Sequence, residues 1–435
     1  MDFFEFLNTA VTPYHTVDAL KSFFKANSFT EIELSANLEP AKAYFVCREA
    51  SIIAFRTPQK WSDESKFKIA LAHTDFPTLK ISPNPDVVNA GVCTLHTEVY
   101  GSPLYTSWLD RDLGYAGMLA YVDAGSSTLK TKLFRGEKLF RIPQLAVHLN
   151  RGVNQDGLKV NPQIDFNALW ACASDSKASE NRKNLFVKAL EKELPEGSRL
   201  IDFDVQLFDA QSANRGGFND EWIYSGRLDN LSSCHAIAEA MVSAKSAESD
   251  CLVACFFNNE EVGSTTREGA AGNFLQSVLD SIASLQNDCH PGVREHDRAQ
   301  APLSSTLAES IALSIDMAHA EHPNHTEKHE LNHAPLLGKG IVLKTNSQKR
   351  YASDLMSSAQ LRLLCEKAEI PLQVFIMRND MPCGSTVGPT VSANLGIPTV
   401  DIGEPMLSMH SIREMMAASD HEDMIKLVKA LYCYS

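Results

Sequence analysis

The sequence has no CxxC pair, no apolar run approaching the roughly 18 residues of a membrane span and no concentrated basic stretch, and each absence removes a class of function. Its ten cysteines, among them Cys93, Cys172, Cys234, Cys251, Cys255, Cys365 and Cys383, follow no regular framework, so reduced thiols are expected and disulfides are not. Forty basic residues against fifty-four acidic ones leave a formal charge of −14, which repels a nucleic-acid backbone. Neither nucleic acid nor membrane is expected as a partner. The opening Met1-Asp2-Phe3-Phe4-Glu5-Phe6 has no basic leader and no unbroken apolar stretch, so it does not read as a secretory signal, and a cytoplasmic location is the expectation.

What is present is the composition of a folded globular chain: 44% apolar and 22% charged residues over 435 positions, enough for two domains or one with a large insertion. Phe3, Phe6, Leu7, Val11, Leu20, Phe23 and Phe24 recur at helical spacing with a break at Thr12-Pro13, which predicts surface helices up to about Asn27. Short apolar runs at Lys68 to Ala72, Leu252 to Phe257, Ile311 to Ile315, Leu372 to Met377 and Ile397 to Ile402 read as strands. Helix-like stretches such as Cys234 to Ala244 and Leu355 to Ala368 lie between the later runs. Strands alternating with helices make an open α/β sheet, in which ligands bind beyond the carboxyl ends of the strands. From about Ser82 to Ser225 the texture changes to scattered Pro and Gly without strands that end in acids, and this part reads as an inserted domain. Ala173 to Asn184 and Asn287 to Ser304 read as hydrophilic loops.

Five clusters place His or carboxylate at or near the end of an apolar run: Ala72-His73-Thr74-Asp75, Gly226-Arg227-Leu228-Asp229-Asn230, Asn258-Asn259-Glu260-Glu261-Val262-Gly263, Ile315-Asp316-Met317 and Met409-His410-Ser411. A pair of catalytic zinc ions needs imidazole and carboxylate ligands and one carboxylate shared between the metals. Each cluster also has a plainer reading. His73 could be a hydrogen-bonded core histidine, Asp229 a helix cap for the segment Leu231 to Ala244, and Asp75 a turn former before Pro77. Glu260-Glu261 resists such a reading, because adjacent acids closing an apolar run must be solvated or neutralised by a cation. The Cys383-to-Pro389 stretch is not a phosphate loop, since no Gly-Lys-Ser/Thr follows its glycines; a tight turn or a helix start fits better.

The strings AHTD, RLDNL, NNEEVGS, SIDMAHAEHPN, MRNDMPCGSTVGP and MHSIRE occur in one order and together resemble the aspartyl aminopeptidase family of dinuclear-zinc exopeptidases. The resemblance implies a phosphorylase/peptidase-like open mixed sheet flanked by helices, built from residues 1–81 and 226–435 and carrying the metal site, with 82–225 as an inserted, mostly β dimerisation domain. It implies two Zn2+ per chain, one site being open to exchange with Mn2+ or Co2+. His73 and His410 would be the terminal imidazole ligands, Asp229 the bridging carboxylate, and Glu261 and Asp316 the remaining ligands. Glu260 would be the general base, and Asp75 would orient His73 by accepting its second N–H.

By the same resemblance, His148, in the segment Arg141 to His148, would reach the active site of a neighbouring subunit. Lys344 would face the substrate's acidic group, and His319 and His322 would line the pocket. The substrates would be peptides with acidic N-terminal residues, and homodimers would assemble into a homododecamer. One departure is Phe76, where the family usually has a small residue, and this bears on pocket shape. Two alternatives remain at this stage: a dinuclear-zinc aminopeptidase or deacylase of neutral preference, and a catalytically silent oligomeric binding protein.

Overall fold

The architecture comes from a computed structural model that describes residues 1–62, 64–173, 184–284 and 301–433. Most of the two hydrophilic stretches expected at 173–184 and 287–304 lies outside the described residues. A nine-stranded mixed sheet runs in the order Thr30–Glu31, Ala43–Arg48, Ser51–Arg56, Cys251–Phe257, Phe67–His73, Ile311–Ile315, Thr399–Gly403, Ile341–Lys344, Leu372–Phe375. Its four middle strands, from Cys251–Phe257 to Thr399–Gly403, are mutually parallel. Cys251–Phe257 and Phe67–His73 are buried at every position. This explains their uninterrupted apolar runs, since a central strand covered on both faces has no solvent side to alternate with.

Side-chain alternation then splits one strand between two cores. Ala70, Ala72, Leu252, Ala254 and Phe256 face one core, packed with the helices Phe3–Thr9, Pro13–Ala26, Leu228–Ser243 and Ala418–Cys433. Ile69, Leu71, Val253 and Cys255 face the other, with Phe274–Ala283 and Val387–Leu395. The break foreseen at Thr12-Pro13 is a helix start: Thr12 accepts from the His15 N–H and Pro13 takes the first helical position, where no N–H is needed.

A six-stranded antiparallel sheet, ordered Lys130–Arg135, Leu113–Val122, Arg199–Asp209, Thr78–Asn89, Val92–Tyr100, Ala168–Cys172, surrounds its own core of Leu113, Tyr115, Phe140, Phe166, Phe186 and Leu207. It begins at Thr78, soon after His73, so residue 82 falls inside one of its strands. A third sheet pairs Trp222–Ser225 with Glu414–Ala417 and Ala318–His319 with Pro405–Leu407. The parallel strands of the large sheet share one direction, and His73, Asn258 to Glu261 and Asp316 therefore emerge together at their carboxyl ends.

Candidate metal centre

His73 is the last residue of its strand and is 1% exposed. Its Nδ1 lies 2.9 Å from the main-chain oxygen of Asp75, and because a carbonyl can only accept, Nδ1 carries the hydrogen and Nε2 is left with its lone pair free. His410 repeats the arrangement: its Nδ1 donates to the Ser102 carbonyl at 3.0 Å. The resemblance assigned the His73 N–H to the Asp75 carboxylate, but the nearest carboxylate oxygen stands at 3.5 Å. That carboxylate is engaged elsewhere. It accepts from the Glu260 and Glu261 N–H groups, both at 3.1 Å, and from the Tyr100 hydroxyl at 2.7 Å.

Asp229 sits at the start of the helix Leu228–Ser243 with non-helical backbone angles, and the Asp229-Asn230 peptide bond is cis. The helix-cap alternative is not what forms, since Oδ1 of Asp229 is buried without any hydrogen-bond partner. Glu414 clasps the region by accepting from the Asp229 N–H at 3.1 Å with one oxygen and from the His410 N–H at 2.7 Å with the other. Nothing in the sequence reasoning gave Glu414 a role, although it closes the MHSIRE string.

The distances decide what these groups can do. His73 Nε2 is 3.5 Å from Asp229 Oδ1 and 3.9 Å from Asp316 Oδ1. His410 Nε2 is 3.5 Å from Asp229 Oδ2 and 3.5 Å from Glu261 Oε1. Such separations are too long for hydrogen bonds. Zinc bonds of about 2.0 to 2.2 Å in tetrahedral directions put ligand atoms about 3.3 to 3.6 Å apart. Three groups have the donor set for a cation, His73-Asp229-Asp316, Asp229-Glu261-His410 and His73-Glu260-Glu261; the first two share Asp229, and their ligand atoms lie at that spacing or, for Asp316 at 3.9 Å, a little beyond it. The Asp229 oxygen without a partner lies in the gap where a cation would satisfy it.

The electrostatics agree. Burial pulls His410 down, but the carboxylates of Asp229 and Glu261 outweigh it and hold it up to about 10. Burial pushes Glu260 up to about 8, neighbouring acids adding to it against the pull of His73, and drives Glu261 well above the carboxylate range. Acids pushed toward protonation by burial and by neighbouring carboxylates are a setting that a bound cation would relieve.

A cavity of about 560 Å3 opens over this cluster, lined by His73, Asp229, Glu260, Glu261, Asp316 and His410 together with His319, Lys344, Arg350, Tyr351 and the turn Gly384 to Thr386. Lys344 is 2% exposed, so it is not a surface lysine; its Nζ donates to the Met317 carbonyl at 3.1 Å and stands 5.2 Å from the Tyr351 ring. Desolvation, and then the charge of Lys344, push His319 down to about 4, which keeps its ring neutral. His322 does not reach this cavity. It lines a neighbouring one of about 220 Å3, where its backbone N–H donates to His329.

His148 is exposed and is not among the residues that line the cavity of its own chain. Phe76 is buried behind Asp229 with the Arg227 guanidinium 5.6 Å from its ring, so it stays out of the large cavity. The Cys383-to-Pro389 stretch is a helix start, with Thr386 capping Val387–Leu395. Tyr100, Ser102, Arg350 and Tyr351 escaped the sequence reasoning, since single polar residues in loops and strand ends carry no spacing signal.

Comparison with known proteins supplies the family. The model of the aminopeptidase I zinc metalloproteases (M18) matches residues 6–432. The chain belongs to the M18 aminopeptidase family. It is accordingly a metalloprotease, a hydrolase of the aminopeptidase class. Aspartyl aminopeptidase 4 of Saccharomyces cerevisiae is 36% identical over 99% of this chain and 94% of its own length. A probable M18 family aminopeptidase 2 of Pseudomonas aeruginosa is 36% identical over 99% and 97%. Among solved structures, the mApe1 dodecamer of S. cerevisiae superposes with a TM-score of 0.82 at 25% identity, covering 99% of this chain and 95% of its own. The M18 fold is therefore the fold of this chain, and no helix among its described residues is long and apolar enough to cross a membrane.

Proposed function

We propose that this M18 enzyme holds two zinc ions per chain and releases single acidic residues from the N-termini of peptides. The observation that carries the reading is the pair of triads sharing Asp229, set at ligand spacing beneath a cavity that also contains Lys344. His73, Asp229, Glu261, Asp316 and His410 would hold the ions, one site being open to Mn2+ or Co2+. When bound, the zinc pair supplies an acidified water and a Lewis acid for the scissile carbonyl. Glu260 takes the proton from the attacking water and returns it to the leaving amine. Asp75 holds the two glutamates in place through their N–H groups. His319, neutral at working pH, lines the substrate side, while His322 would act only through the adjoining cavity. A cytoplasmic location is part of the same reading, in keeping with the free thiols of all nine described cysteines.

Acidic preference follows from a buried ammonium that a substrate carboxylate can meet, and the aspartyl aminopeptidase name of the yeast relative supports it. A hydrogen bond to a charged group is worth about 1.5 to 3 kcal/mol, or roughly 10- to 100-fold in kcat/KM. Lys344→Met should lose about that factor on Asp- and Glu-terminal peptides and much less on Leu-terminal ones. The wild-type enzyme, assayed on Asp, Glu, Leu and Ala termini before chelation, after it and after zinc restoration, should favour the acids and recover with zinc. Faster turnover of Leu and Ala would favour the neutral-preference alternative, and activity untouched by chelation would remove zinc from the reading.

Assembly belongs to the same proposal. The segment preceding and following His148 exposes Leu145, Val147 and Leu149 at 60%, 48% and 74%, apolar area suited to burial against a second copy. Residues 82–225 would be the dimerisation domain, His148 would complete the neighbour's site by donating to the negative oxygen of the attacked carbonyl, and dimers would close into a dodecamer. Light scattering should report roughly twelve chains. Mixed dimers of His148→Phe with Glu260→Gln should regain activity through the one site that has both residues. Full activity in a dilute monomer would overturn the shared site.

A further inference from the structure

Tyr100 ends the strand Val92–Tyr100 of the six-stranded sheet, and its hydroxyl meets two partners, Asp75 Oδ2 at 2.7 Å and Asn259 Nδ2 at 3.0 Å. An amide nitrogen can only donate and a carboxylate can only accept, so the phenol hydrogen is committed to Asp75. Asp75 is wholly buried, and its two oxygens receive the backbone N–H groups of Glu260 and Glu261, which form the single turn Glu260–Val262. The hydroxyl thus fixes the carboxylate that fixes the turn.

The residues just after Tyr100 bear on the same centre. At Gly101, with φ +69°, an added Cβ would come within 3.1 Å of Glu261 Cβ. Ser102 accepts from His410 Nδ1, and the Leu104 N–H donates to the His410 carbonyl at 2.8 Å. One strand end of the antiparallel sheet therefore touches the support of both glutamates and of one imidazole.

We infer that Tyr100 is a positioning residue for the peptidase reaction: acting through the Asp75 carboxylate, it holds the Glu260–Val262 turn and so aims Glu260. This rests on the reading of Glu260 as general base. Removing the hydroxyl leaves Asp75 with a lone pair unserved in a buried site and lets its carboxylate rotate toward His73, whose Nδ1 is only 3.5 Å away. Displacing a catalytic group by about 1 Å can cost on the order of 100-fold in rate.

The test is Tyr100→Phe, which keeps the ring, assayed for kcat, KM, zinc content and melting temperature. The expected result is a kcat lowered by about 10- to 100-fold with KM within about two-fold, zinc retained and melting little changed. A raised KM with normal kcat, loss of zinc, or unaltered kinetics would each overturn the inference. In a double-mutant cycle, Tyr100→Phe should add little to Asp75→Asn, because both act through one contact, whereas fully multiplicative losses would also overturn it. Failure of the underlying reading is separable: an active Glu260→Gln enzyme removes the base, while full kcat in Tyr100→Phe beside an inactive Glu260→Gln refutes only the positioning role.

Discussion

Glu260→Gln should give a folded, zinc-loaded enzyme whose kcat is lower by about 10² to 10⁴, the usual cost of losing a general base. The amide is nearly isosteric with the carboxyl, and the backbone N–H of residue 260 still reaches Asp75, so the turn keeps its shape. Glu260 belongs to neither of the triads that share Asp229, so both keep their donors. Only the capacity to accept a proton is lost. Zinc content measured on the same sample separates this from a folding defect, and near-normal turnover at full zinc occupancy would take the base role away from Glu260.

Asp229→Ala should have the other large effect, and at an earlier stage, by emptying both metal positions. Asp229 is the one residue common to the two triads, it is 3% exposed, and each of its oxygens faces a different imidazole. A truncation here leaves each triad with two ligands, too few to retain zinc through dialysis. Activity should fall to background. Because zinc stabilises only the folded chain that binds it, the wild-type protein should melt above the variant when loaded and near it after chelation. Two zinc ions per chain in Asp229→Ala would exclude the bridging role.

The strands that position the centre were legible in the sequence because they are buried on both faces. Phe67–His73, Cys251–Phe257 and Ile311–Ile315 show as apolar runs with His or acid at their end or within a few residues of it. The hairpin Ala43–Arg48 and Ser51–Arg56, which extends the same sheet, gives no such signal, since its runs end in arginine rather than in a cluster of His or acid. The helix Leu228–Ser243 was read as starting after Asp229, and the backbone distortion there hides its first turn. What the sequence could not disclose is who accepts each proton. The Asp75 carboxylate was expected beside His73, yet the carbonyl of the same residue takes that hydrogen and the carboxylate turns to the glutamate N–H groups. Choices between two acceptors on one residue depend on angles fixed by neighbouring strands, and spacing along the chain is blind to them.

The sheet order carries a consequence for when the enzyme becomes active. The residues of the two triads are drawn from position 73 to position 410, and the strand Phe67–His73 lies between neighbours that follow it by well over a hundred residues. Contacts of such long sequence separation form late, after much of the loop-closure entropy has been spent. No growing chain can complete the second triad until His410 has emerged from the ribosome. On the two-zinc reading proposed above, the peptidase is inert during synthesis by topology alone, and its hydrolytic power would come only with the finished fold.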